Sequence, residues 1–253
     1  MNGSVALPEA ALRRTFLRWT YALGGLSIAL SGLIAAGIYL LLGDQGPVAL
    51  LNLLERLPEN LRGLVLLVGG IGIILVMLLL GLLILGWIEK LHIPLALILL
   101  AWLAFAGIGG LLLSPVFYVA GFALTMKVFL LTGLVFTATG LLASVIGIDL
   151  TRWGGMIFSI LIMLTIMAGI NVILRSEWIE WAWTYGGLVM WLIVAVYAHQ
   201  LLMKLPMPTE EELSKGALFR LAVAAAILLY VIFYMIFVRL LILALSEKSK
   251  RRR

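Results

Sequence analysis

The chain has 253 residues, of which 64% are hydrophobic and only 12% charged, and its 26 glycines outnumber its 12 acidic residues. A soluble domain is roughly half apolar and a quarter charged, so too few charges are present to cover a water-facing surface, and a soluble enzyme is all but excluded. The net charge of +6 gathers at the ends, with Lys248, Lys250, Arg251, Arg252 and Arg253 closing the chain and Arg13, Arg14 and Arg18 preceding the first apolar run. No basic patch on a fold suited to nucleic acid is visible. The absence of cysteine excludes disulfides, thiolate metal sites and a cysteine nucleophile.

Seven runs contain no Asp, Glu, Lys, Arg or His: 19–43, 63–88, 93–126, 128–148, 153–174, 181–198 and 221–238. A helix needs about 20 apolar residues to cross a bilayer. The chain therefore reads as an all-α polytopic membrane protein, a single integral membrane domain over 1–253. Six transmembrane helices are expected, plus a seventh C-terminal hydrophobic segment that is either a full span or broken and re-entrant.

In chain order, residues 1–18 form an amphiphilic lead in which Pro8-Glu9 starts a helix. The first segment covers 19–42, with Gly24, Gly25, Ser27, Ser31, Gly32 and Gly37 suited to close helix contact. Gly43-Asp44-Gln45-Gly46-Pro47 ends it. Residues 48–62 read as an interfacial amphipathic helix, and 63–87 as the second segment. The third covers 94–113 and stops at Ser114-Pro115, because proline biases the preceding residue away from helical dihedrals. A loop with some helical character leads to the fourth, 126–147, placing Lys127 at a membrane surface.

The fifth segment is 153–174 and the sixth 181–203, entered through Trp178, Trp181 and Trp183, which resemble an interfacial aromatic belt. In the loop 204–220, Thr209 is placed to cap a helix starting at residue 210. The last segment, 217–245, is interrupted by Arg239. With the N-terminus inside, the inner loops hold more Lys and Arg than the outer ones, which predicts a cytoplasmic N-terminus. Seven plain crossings then leave the basic tail outside, against the same rule; a break around 232–239 returns it inside.

Polar residues within or beside these segments are the candidates for function. His199 and Gln200 form the leading pair, and an imidazole there is a candidate pH sensor. Arg239, with Tyr230 and Tyr234 on the same segment, is a candidate pore residue. Its possible partners are Asp149, the two tyrosines and helix-end carbonyls. Asp149 and Arg152 sit in the loop before the fifth segment, where Asp149 suits a helix start. Asn171 carries an amide able to bind across helices. The glycine clusters at 69–72 and 107–110 follow no strand and read as packing surfaces, not nucleotide loops. Only two histidines, His92 and His199, are present, so no histidine-rich metal site, cofactor or catalytic residue is expected.

From residue 126 the sequence MKVFLLTGLVFTATGLLASVIGIDLTRWGGMIF resembles the Bax inhibitor-1 family, also called the transmembrane BAX inhibitor motif family. The features that carry the resemblance are Phe129, Thr132, Phe136, Thr139, Ser144, Gly147, Asp149-Leu150, Gly154 and Asn171. It continues at Val196-Tyr197-Ala198-His199-Gln200, where the family often has Tyr-Asp-Thr-Gln, and ends at Leu229-Tyr230, covering roughly 15–245. The resemblance implies a pH-sensitive leak pathway for calcium or another cation in many members and a regulator of stress tolerance in others. It also implies a proton- and calcium-linked pair of aspartates, which here falls on Ala198 and Ile232, so control by that pair does not carry over. Expected partners are the lipid bilayer, a permeant cation and other membrane proteins; a bacterial source would place the chain in the inner membrane. The alternatives are a membrane-embedded interaction or stress-modulating protein without conduction, and a secondary transporter, which would lack both intramembrane acids and an internal repeat.

Overall fold

The computed structural model describes residues 9–43, 95–207 and 217–250, all in helices or their short connections. The elements are α1 (Glu9–Leu42), α2 (Leu95–Ala120), α3 (Phe122–Val145), a 3-10 turn (Leu150–Trp153) and α4 (Gly154–Leu174). They are followed by α5 (Glu177–Trp181), a π-helical turn (Ala182–Gly186), α6 (Gly187–Lys204) and α7 (Ala217–Lys250). Among the described residues, six helical stretches are long and apolar enough to cross a membrane: α1, α2, α3, α4, α5 through α6, and α7. They correspond to six of the seven expected segments. The expected segment at 63–87, the amphipathic helix at 48–62 and the helix start at residue 210 lie outside the described residues.

One expectation changes, and one open alternative is decided. The third segment does not stop at Ser114-Pro115, because α2 continues to Ala120 with Pro115 inside it. Ser114 Oγ donates to the Leu111 carbonyl at 2.8 Å, one of the local adjustments by which membrane helices accommodate proline. The break falls at Gly121, whose φ of +84° only glycine adopts readily. The last segment is also unbroken, because α7 runs as one helix of 34 residues through Arg239.

The described chain divides into two compact units, residues 1–122 with 207–231 and residues 123–206 with 232–253, the boundary crossing α7. In the first unit α1, α2 and the start of α7 run in the same sense. Trp19 meets Phe219 edge to face at 5.4 Å, and the space beside Gly24 is filled by Ala226 and Leu229. Small residues at helical spacing on α1, namely Gly24, Ser27, Ser31 and Ala35, are buried. Ser31 Oγ contacts both the Ser27 carbonyl at 2.9 Å and the Ala106 carbonyl of α2 at 2.7 Å. A β-carbon on Gly110 would meet the Ile34 side chain and the Ser31 carbonyl at 2.7 and 2.9 Å. By contrast Gly25, Gly37 and Gly107 have nothing within 4 Å. The small-residue seam is therefore one face of each helix, as close backbone approach requires.

In the second unit α3 runs antiparallel to the distal half of α7. Phe129 packs edge to face on Phe233 and Phe237, and Phe136 on Phe233. Helix α4 is apolar all round and only 6% of its span window is buried, against 50% for the α5–α6 stretch. Such a helix is stable where lipid covers its remaining surface.

Candidate functional site

The polar residues of the second unit collect at two levels of its helices. At one end, the short connection from α3 to α4 is held by the last turns of α6. Gln200, 5% exposed, uses both ends of its amide: Oε1 accepts from the Leu150 N–H at 2.8 Å, and Nε2 donates to the Ile148 carbonyl at 2.9 Å. A single side chain thus satisfies two backbone groups that the turn leaves outside a helix, an obligation that grows where water is scarce. Asp149 accepts from Thr151 N at 3.1 Å and Thr151 Oγ1 at 2.6 Å, capping the 3-10 turn.

The same carboxylate meets Lys204 Nζ at 2.6 Å and Arg152 Nε at 3.4 Å. Its pKa falls from the usual carboxylate range to about 2, chiefly through the Lys204 hydrogen bond and then through Thr151. Lys204 and Arg152 remain largely solvent-accessible. An open cavity of about 240 Å³ lies against this latch, lined by Ser144, Gly147, Asp149, Gln200, Met203 and Lys204.

His199, one residue before Gln200, is 1% exposed. Its ring sits 5.1 Å from Phe136, and the missing side chain of Gly140 makes its room: a β-carbon there would lie 3.3 Å from Cε1. Tyr197 closes on Gly154 in the same manner, with its hydroxyl 2.8 Å from a β-carbon placed there. Ala198 and Ile232 are each 2% exposed, so both are apolar core.

Arg239 lies at the opposite end of α6. It is 6% exposed, donates from Nη1 to the Trp183 carbonyl at 2.9 Å, and stacks over the Trp183 ring at 3.6 Å. That carbonyl lies within the π-helical turn Ala182–Gly186 and also accepts from the Gly187 N–H, so it serves the helix and Arg239 together. Gly187 leaves the guanidinium space, since a β-carbon there would lie 2.9 Å from Cζ. A desolvated stack of this kind contributes up to about 2 kcal/mol.

Of the candidate partners of Arg239, a backbone carbonyl is the one met, and Asp149 is not, because it is taken by Lys204 and Arg152 at the other end of α6. Neither tyrosine partners Arg239. Tyr230 belongs to the first unit, where its ring meets Phe105 edge to face at 5.2 Å, and Tyr234 is half-buried. Asn171 does not reach across helices either. Its Oδ1 accepts from Ser176 N at 2.8 Å and its carbonyl from Arg175 N at 2.8 Å, closing the end of α4 around the left-handed Arg175.

Sequence reasoning missed Lys204, Gly140, Trp183 and Gly187 as members of these arrangements. The spacing of Trp183 and Gly187 by four residues was the available signal, since it puts both on one helix face. Among the described residues no group of three His, Asp or Glu side chains is placed to hold a metal ion.

The sequence matches the model of the family described as "Inhibitor of apoptosis-promoting Bax1" over residues 13–250. No curated protein matches the chain.

Proposed function

We propose, for a chain that belongs to the Inhibitor of apoptosis-promoting Bax1 family of multi-pass membrane proteins, an ion-leak function held closed at the α3–α4 connection. The observation that carries this reading is the double hydrogen bond from Gln200 to Ile148 and Leu150, reinforced by the Asp149–Lys204 pair. One helix turn clamps a loop in place, and release of that clamp is a local event with few contacts to break. His199, buried beside the clamp, is the group assigned to a pH response. Phe136 and Gly140 of α3, both uncharged, pack on it, and five residues on in its own helix Lys204 pairs with Asp149 of the α3–α4 connection.

A second reading, a membrane-embedded stress-modulating protein without conduction, is favoured by the buried Ala198 and Ile232. A cation path normally presents carboxylates or convergent oxygens, and these two positions present methyl groups. Flux through purified protein in liposomes, with calcium or potassium gradients and pH varied, separates the two. Cation flux that rises in Gln200→Ala and changes its pH profile in His199→Gln supports the leak. Flux equal to that of empty liposomes in every variant and gradient supports the non-conducting reading.

A further inference from the structure

Arg239 is held in a built socket, yet its charge is not neutralised by anything in that socket. One Nη1 donor goes to the Trp183 carbonyl and one face of the guanidinium is covered by the Trp183 ring. The Nε and Nη2 donors have no hydrogen-bond partner among the described residues, and no carboxylate there pairs with Arg239. Glu177 and Glu180, the acids nearest in sequence to Trp183, are exposed on α5. The stack and the carbonyl together fix the plane of the fork, so its free edge points in one direction, the arrangement that favours a planar, two-point acceptor.

The level of the socket identifies the acceptor. Arg239 lies roughly 33 Å along α7 from Ala217 at 1.5 Å per residue, about the thickness of a hydrocarbon core. Within five residues of Trp183 in the chain, Trp178 and Trp181 are 70% and 55% exposed, with rings 5.4 Å apart, and Trp181 lies 5.2 Å from Tyr185. Exposed indole and phenol rings of this kind settle at the headgroup level. We propose that the Arg239–Trp183–Gly187 socket binds a phosphate group, with Nε and Nη2 donating to two phosphate oxygens. The phosphate belongs either to a phospholipid of the adjoining leaflet or to a free ion. The site does not depend on ion conduction.

The test uses the full-length protein in phosphate-free detergent, with binding followed by native mass spectrometry and by tryptophan emission. The added probes are phosphatidylglycerol, a diacylglycerol with the same acyl chains, and inorganic phosphate. The wild type should retain phosphatidylglycerol at least ten-fold more tightly than diacylglycerol. Arg239→Gln should lose at least ten-fold of that preference, and Arg239→Lys, which keeps the charge but not the fork, should fall between. Trp183→Phe should abolish the emission change while still binding. Competition by millimolar inorganic phosphate assigns the site to the free ion as well, whereas its failure to compete assigns the site to the lipid; either result sustains phosphate recognition. Equal retention of diacylglycerol and phosphatidylglycerol by the wild type, or no retention of any probe, overturns the proposal without reference to a variant's folding. So does an Arg239→Gln protein that folds and binds phosphatidylglycerol as the wild type does.

Discussion

Lys204 Nζ sits 2.6 Å from Asp149 Oδ1, joining the last turn of α6 to the connection that precedes α4. The contact tethers two elements 55 positions apart at an aqueous edge of the unit, where it remains open to titration. Because the folded carboxyl has a pKa of about 2, below its unfolded value, the pair stabilises the fold above about pH 4 and is lost as pH falls through about 2. Asp149→Asn should therefore lower the melting temperature at pH 7. The gap from the wild type should narrow below about pH 4 and vanish near pH 2, as thermal melts across that range would show. High salt should shrink the gap, since Lys204 is half-exposed.

Gln200 supplies an acceptor and a donor to backbone groups on either side of Asp149. Gln200→Leu keeps the bulk and removes both bonds, leaving two polar groups unmet at a cost of about 1–3 kcal/mol each. Gln200→Glu keeps the acceptor for Leu150 but turns a lone pair toward the Ile148 carbonyl, so it should recover only part of the loss. Denaturation melts of the three proteins should fall in the order wild type, Glu, Leu.

The seam between α1 and α2 distinguishes glycines that look alike in sequence. Gly110→Ala would place a methyl group 2.7 Å from Ile34 Cβ and 2.9 Å from the Ser31 carbonyl, and Gly109→Ala would overlap the Tyr230 hydroxyl. Overpacking of this sort costs about 1–3 kcal/mol. Gly107→Ala meets nothing within 4 Å and gains helix propensity, so it should be neutral or stabilising. The three single variants, melted side by side, check the assignment of faces.

Pro115 and Gly121 should reverse the roles their residue types suggest. Pro115 lies inside a continuous helix, so Pro115→Ala should leave the fold intact and its stability unchanged or raised. Gly121→Ala forces a β-carbon into a left-handed conformation between α2 and α3 and should cost about 1–2 kcal/mol. Circular dichroism and melting of both variants test the position of the break.

Much of the architecture follows from local properties of the chain and is legible in the amino-acid sequence alone. Uncharged runs of span length must be helical to satisfy their backbone in lipid, and among the described residues six such helices stand where the runs lie. The glycine and serine spacing of α1 marks a packing face, and Asp149 marks a turn start; both follow from the covalent sequence within a few residues. Family membership is readable because order and spacing of small, aromatic and acidic residues survive in the linear chain. Partner choice is not readable in that way. Whether Asp149 meets Arg239 or Lys204, and whether Asn171 crosses to a neighbour or closes its own helix, depends on which helix ends lie side by side. The acceptor for Arg239 is the Trp183 carbonyl within the π-helical turn Ala182–Gly186, a choice no charge pattern encodes. A polar group in an apolar medium takes whichever acceptor lies within hydrogen-bond reach, and in this protein only the tertiary structure decided which acceptor that was.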